Sequence, residues 1–212
     1  MTFPRCEAFV LLALSCAVTT EATAELYKNQ FASVMLGEKK IGHVHFMSKH
    51  DADGVLQELK TRSSLSLLGV ELYHHTLHVH ETWKDGELQH LWGNSDDHGD
   101  TYEIELRRHK ENYSGTLNNE PVTLPHHAFP TAVWHYPITR HPLLFTIPGL
   151  NLQDVKVVKS ADRVKIGEKL IPAEKFVFSG DWDSTLWFDR QQQFLQWSYQ
   201  VKGREVTVVL DP

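Results

Sequence analysis

The chain has 212 residues, 41% of them hydrophobic and 23% charged, with a formal net charge of −6. That mildly acidic, mixed-sign balance argues against nucleic acid as the main partner and against a polybasic membrane anchor. The length suits one domain with enough chain to bury a core, and no later segment approaches the roughly 20 apolar residues of a spanning helix.

The first residues read as a secretory leader. Arg5 supplies a positive start, residues 9–14 form a short apolar run, and Ala22-Thr23-Ala24 offers the small-x-small pattern of a signal-peptidase site. The expected division is a signal peptide over 1–24 and a single domain over 25–212, with periplasmic or secreted localisation. Both cysteines, Cys6 and Cys16, fall within the leader, so the exported domain holds no thiol, disulfide or cysteine ligand. Ala13-Leu14-Ser15-Cys16 weakly resembles a lipoprotein site, its Leu two rather than three residues before Cys. Anchoring through Cys16 is therefore the alternative localisation.

Short strands follow in succession. Residues 31–36 lead through Gly37-Glu38-Lys39-Lys40 into 41–47 as a hairpin, and longer strands are expected over 56–68 and 72–83. Asp85-Gly86 then marks a tight turn, since Asp-Gly is a strong short-range hairpin signal. Strands over 88–92, 101–108 and 113–117 continue the series. After residue 154 come 155–158, 164–166, 174–178, 185–188, 194–199 and 205–210. This pattern predicts an all-β antiparallel meander forming a β-roll or open half-barrel.

Between these halves, residues 125–148 hold five of the nine prolines together with Phe129, Trp134, Tyr136 and Phe145. Proline cannot donate to a ladder, so the stretch is excluded from interior strands. A short helix opened by Pro130 and ended by Pro137 is expected there, within a strap or lid over one end of the roll.

The chain carries 14 histidines. His43 with His45, and His78 with His80, are His-x-His pairs in predicted strands, so each pair shares a face. If the two strands lay side by side, the four imidazoles would converge as ligands for Zn or Cu, or for Ni. The bland reading is a solvated sheet face.

Other segments offer less. Asp96-Asp97-His98-Gly99-Asp100 lacks calcium-loop spacing and reads as a solvated turn. Asp181, Asp183 and Asp189 read as strand and turn residues. No Gly-x-Ser-x-Gly elbow, His-Glu-x-x-His helix or phosphate-cradling loop occurs, so no catalytic residue is nominated. Six tryptophans are many for one domain, and around an incompletely filled roll they would line an apolar pocket. Trp83, Trp92, Trp134 and Phe145 are the candidates for such a pocket, with Trp134 at its mouth.

The segments Gly37 to Gly42, Glu81-Thr82-Trp83 with Gly86-Glu87-Leu88, Pro130-Thr131 with Trp134, and Leu186-Trp187-Phe188-Asp189 resemble an exported bacterial family. It is the one known as domain of unknown function 6134, related in pattern to family 3108. The resemblance implies a periplasmic antiparallel β-roll or half-barrel, similar to the lipoprotein carriers that hold acyl chains on a concave face. It carries over no catalytic residue, and the His-x-His pairs are not part of its pattern. The expected function is a non-enzymatic half-barrel binding an apolar or lipid-like ligand or an envelope partner. A histidine-based metal-binding protein or metallohydrolase, and a structural envelope-assembly factor, are the alternatives.

Overall fold

The computed structural model describes residues 26–51, 54–201 and 203–212. The leader, with Cys6 and Cys16, lies outside the described residues. Strands β1 (Leu26–Leu36), β2 (Lys39–Asp51), β3 (Gly54–Leu67), β4 (Val70–Lys84) and β5 (Glu87–Asp97) open the chain. They are followed by β6 (Asp100–Arg108), β7 (Asn112–Leu117), β8 (Glu120–Pro125), β9 (Phe129–Pro130) and β10 (Leu143–Phe145). The last are β11 (Leu152–Ile166), β12 (Lys169–Gly180), β13 (Ser184–Phe188), β14 (Phe194–Val201) and β15 (Arg204–Leu210).

All of them join one sheet in the order β8-β7-β6-β5-β4-β3-β2-β1-β15-β14-β13-β12-β11-β10-β9. Each pairing is antiparallel except β9 with β10. The expected all-β meander is thus the observed fold, with the first and last long strands of the chain paired at its centre.

The two edge strands, β8 and β9, are consecutive in the chain and joined only by residues 126–128. Four Cα steps of about 3.8 Å keep those edges within about 15 Å at that point, so the sheet must curl on itself without closing. Ala128 N donates to Pro125 O at 3.0 Å across this corner. Both edges are blunted: β8 carries Pro121 and Pro125, and β9 has two residues, one of them Pro130.

Period-two alternation decides which side chains enter the curl. Val79, Glu81 and Trp83 of β4 are buried on the concave face, while His78 and His80 point to the convex one. The concave rows meet residues of the proline-rich stretch, so that Val44, Leu59, Phe129, Val133, Ile138 and Phe145 share a single core. The stretch therefore crosses the inside of the curled sheet rather than lying over its rim. On the other side, the far part of the β11–β12 hairpin folds over the convex face, where Val164, Ile166 and Ala173 pack with Trp187 and Leu195.

Glycine permits two local features. Asp85 and Gly86 take φ values of 53° and 79°, the left-handed pair that a two-residue hairpin turn needs. At Gly93 of β5 a Cβ would sit 2.1 Å from the carbonyl oxygen of His78, so only glycine allows that close approach.

Two expectations are corrected. The short helix is a 3₁₀ turn over Tyr136–Arg140, not 130–136, and Pro137 lies in its first turn instead of ending it. Proline fits there because first-turn N–H groups have no intrahelical partner, while Pro130 has become an edge-strand residue. The four-histidine convergence also fails, because β3 lies between β2 and β4. His45 faces Lys60, which in turn faces His78. Two inter-strand spacings, about 9.5 Å, therefore separate the His-x-His pairs.

Candidate ligand cavity and the histidine face

The curled sheet does not fill its own interior. A cavity of about 510 Å³ remains, within the roughly 300–1,000 Å³ of small-molecule sites. Val34, Val44, Leu59, Leu77 and Val208 form its floor. Trp182, Trp197 and Tyr199 form an aromatic wall, with Trp197 stacked on Tyr199 at 4.2 Å.

The proline-rich strap closes the opposite side through Thr131, Val133, Trp134, Thr146 and Ile147. It is pinned to both halves of the sheet: Trp134 Nε1 donates to Gln57 Oε1 at 3.1 Å, and the Tyr136 hydroxyl donates to Glu174 Oε2 at 2.9 Å. Trp134 also packs on Phe46 at 5.7 Å. Its other side borders a second, more open recess of about 540 Å³ lined by Lys28, Gln30, Ser48, His50 and Gln191 among others.

One end of the apolar cavity is polar. Tyr73, His75, Asp97, His98 and Asp100 lie there, near the turns that join β3 to β4 and β5 to β6. The Tyr73 hydroxyl donates to Asp97 Oδ1 at 2.6 Å, and His75 Nδ1 stands 3.7 Å from the same oxygen. Burial, then the bond to Asp97, raises the Tyr73 pKa, so that hydroxyl stays protonated. Burial lowers the His75 pKa against the pull of Asp97. The turn around Asp97 and His98, read from sequence as merely solvated, thus contributes to the mouth.

Two titratable groups, Glu81 beneath the strap and His135 on it, both meet Trp83. Glu81 is 1% exposed, accepts from Trp83 Nε1 at 2.8 Å, and leaves Oε1 without a partner. Burial pushes its pKa up to about 8, although the Trp83 and Trp134 indoles pull the other way. His135 stacks on Trp83 at 4.3 Å, and burial, reinforced by His50, lowers its pKa to about 4.

Of the four residues nominated as ligand-lining, Trp134 borders this cavity. Trp83 and Phe145 are 3% and 0% exposed and belong to the core, Trp83 against Phe129 and Phe145 against Tyr113. Trp92 sits on the convex face between His80 and His90, stacked at 4.9 and 4.3 Å. Sequence reasoning leaves out Trp182, Trp197 and Tyr199 as a wall. For Trp197 and Tyr199 the signal was their shared parity along β14, whereas Trp182 stands in the turn between β12 and β13, where periodicity says nothing.

The histidines are distributed rather than pooled. His43 is exposed. His45 stacks on Phe31 at 4.3 Å and lies 3.2 Å from Asn29 Oδ1, turned towards β1. His78 and His80 stay together, ring centroids 4.7 Å apart, and meet Glu58 of β3. Glu58 is the register partner of His80. Its Oε1 is 2.6 Å from His78 Nε2, 3.9 Å from His80 Nε2 and 2.7 Å from Lys60 Nζ. Partial burial opposes the Glu58 charge, but hydrogen bonds from Lys60 and His78 outweigh it and hold the carboxyl below its ordinary value.

A curled, incompletely filled antiparallel sheet with an internal strap defines a β-barrel-like protein. A crystal structure with this shape is the beta-barrel-like protein of the domain of unknown function DUF1849 from Brucella abortus, to which the chain is similar at a TM-score of 0.62. Identity is 7%, covering 87% of this chain and 94% of that one, so the likeness concerns the fold alone. The chain itself belongs to the family described as a domain of unknown function, DUF6134, whose profile matches residues 33–211. No curated protein matches the sequence. Among the described residues, no helix is long and apolar enough to cross a membrane.

Proposed function

We propose that this protein is an exported carrier or sensor of an apolar, lipid-like molecule held inside the curled sheet. The single observation behind this reading is the cavity of about 510 Å³ with an aliphatic floor, an aromatic wall and a polar mouth. An amphiphile matches that layout, its chain against Val44, Leu59 and Trp197 and its polar end at Tyr73, His75 and Asp97. Each methylene moved from water into such walls contributes about 0.8 kcal/mol. Export follows from the leader-like residues 1–24 and suits a domain that keeps no cysteine.

The tip of the β3–β4 hairpin lies at the mouth end and exposes Leu68 (96%) in the turn and Val70 (62%) and Leu72 (49%) at the start of β4. An exposed apolar tip beside a mouth suits uptake from a lipid surface. A role in assembly through sheet edges has less support, because prolines blunt both edges.

The test is a fluorescence titration with a dansylated fatty acid, read by energy transfer from tryptophan. Saturable one-to-one binding is expected, and Leu77→Trp, which fills the cavity, abolishes it in a protein that still melts cooperatively. Absence of saturable binding, or equal binding by the filled variant, contradicts the reading.

A further inference from the structure

The convex face of β3 and β4 carries a cluster that plays no part in the cavity. Strand periodicity places His78 and His80 on one side of β4, and register sets Glu58 directly opposite His80. The three donors lie within 4.8 Å of one another. We propose that Glu58, His78 and His80 form a zinc site, bound through Glu58 Oε1 and the two Nε2 atoms and leaving a fourth position open to water.

The geometry is close to what the metal requires. Zinc held at about 2.0–2.1 Å by nitrogen and carboxylate oxygen in a tetrahedron sets its donors about 3.3 Å apart. The distances from Glu58 Oε1, 2.6 Å to His78 and 3.9 Å to His80, straddle that value. Adjustments of well under an ångström on side chains that are partly exposed bring both to it. Two imidazoles with one carboxylate suit zinc and are poor partners for calcium or magnesium, which take oxygen ligands.

The surroundings fit as well. Trp92 stacks on His80 at 4.9 Å with planes 11° apart and carries His90 on its other side, fixing the plane of the His80 ring. Lys60 occupies the same carboxylate oxygen at 2.7 Å, and at 48% side-chain exposure it can leave for water when a dication arrives. Lys60 is thus a built-in competitor, and the site has a distinctive signature: removing a neighbouring positive charge strengthens it.

The experiment is a calorimetric titration of the untagged protein with zinc chloride, with magnesium chloride as the control. One zinc per chain is expected at the tightest site, and no magnesium. His78→Ala, His80→Ala and Glu58→Gln should each weaken that site by about tenfold or more, while Lys60→Gln tightens it several-fold. Melting curves in the presence of a chelator should be the same for all four variants and the parent, separating ligand loss from misfolding. A zinc site indifferent to these substitutions, residing elsewhere among the other histidines, overturns the proposal. So does the lack of any stoichiometric site, or a Lys60→Gln variant that binds zinc less well.

Discussion

The two faces of β4 carry opposite chemistry on alternating residues. Inward, Leu77, Val79 and Trp83 join the apolar interior, with Glu81 as one carboxyl among them. Outward, His78 and His80 meet Glu58, Lys60 and Trp92 in a polar, partly wet array. On the inner face, side chains are held by packing, so changes there act on stability and on the cavity. On the outer face, ion pairs are screened and contribute little to folding, which leaves the same residue types free to bind.

The largest expected effect lies in the strap and core. Phe145→Ala removes a fully buried ring and should lower unfolding free energy by about 3–5 kcal/mol in urea denaturation. Trp134→Ala comes next, at about 1–3 kcal/mol, because it loses the Phe46 contact and the bond to Gln57. Since Trp134 also stands between the cavity and the outer recess, a dansylated fatty acid should leave this variant faster in stopped-flow displacement.

Glu81 sharpens the comparison through pH. Its folded pKa is raised, so the stability linked to its proton is fully present below about pH 4.5 and is lost as pH rises through about 8. His135 acts in the opposite sense: its folded pKa is lowered, so its contribution is present above about pH 6.5 and is lost as pH falls towards 4. Between pH 6.5 and 8 the carboxyl is the one of these two groups that titrates, and stability should fall with pH. Glu81→Gln keeps the Trp83 bond, flattens that slope and stabilises the protein at pH 8 by about 1 kcal/mol or more, read by thermal melts across the range.

The smallest effect belongs outside. His78→Ala or His80→Ala should change stability by no more than about 0.5 kcal/mol in the absence of metal. A larger loss would mean that the convex face holds the fold together, and the contrast between faces would collapse.

Much of the architecture was legible in the residues. Asp85-Gly86 announced its turn because few dipeptides adopt two positive φ values. The prolines of 125–148 announced a break in the meander, and Trp134 within it does border the cavity. Their exclusion of an interior strand is overturned by the proline-free β10, which pairs with both β9 and β11. Strand order was only half legible. The predicted strand over 56–68 already stood between the two His-x-His strands, and consecutive strands of a meander pair with each other. Taken through, that rule separates His45 from His78 and puts Glu58 beside His80. Trp83 and Trp92 were harder. Alternation groups Trp83 with Val79 and sets Trp92 opposite His80, but the curl of the sheet decides which of those two faces is enclosed, and that is not written in local periodicity.

The most direct test uses methyl-resolved NMR with a nitroxide-labelled fatty acid. Paramagnetic broadening should strike the methyl groups of Val44, Leu59, Leu77 and Val208, which line the cavity, and spare the Val164 and Leu195 methyls packed on the convex face. Broadening confined to the convex methyls, or spread evenly over both sets, would contradict a ligand site inside the curled sheet.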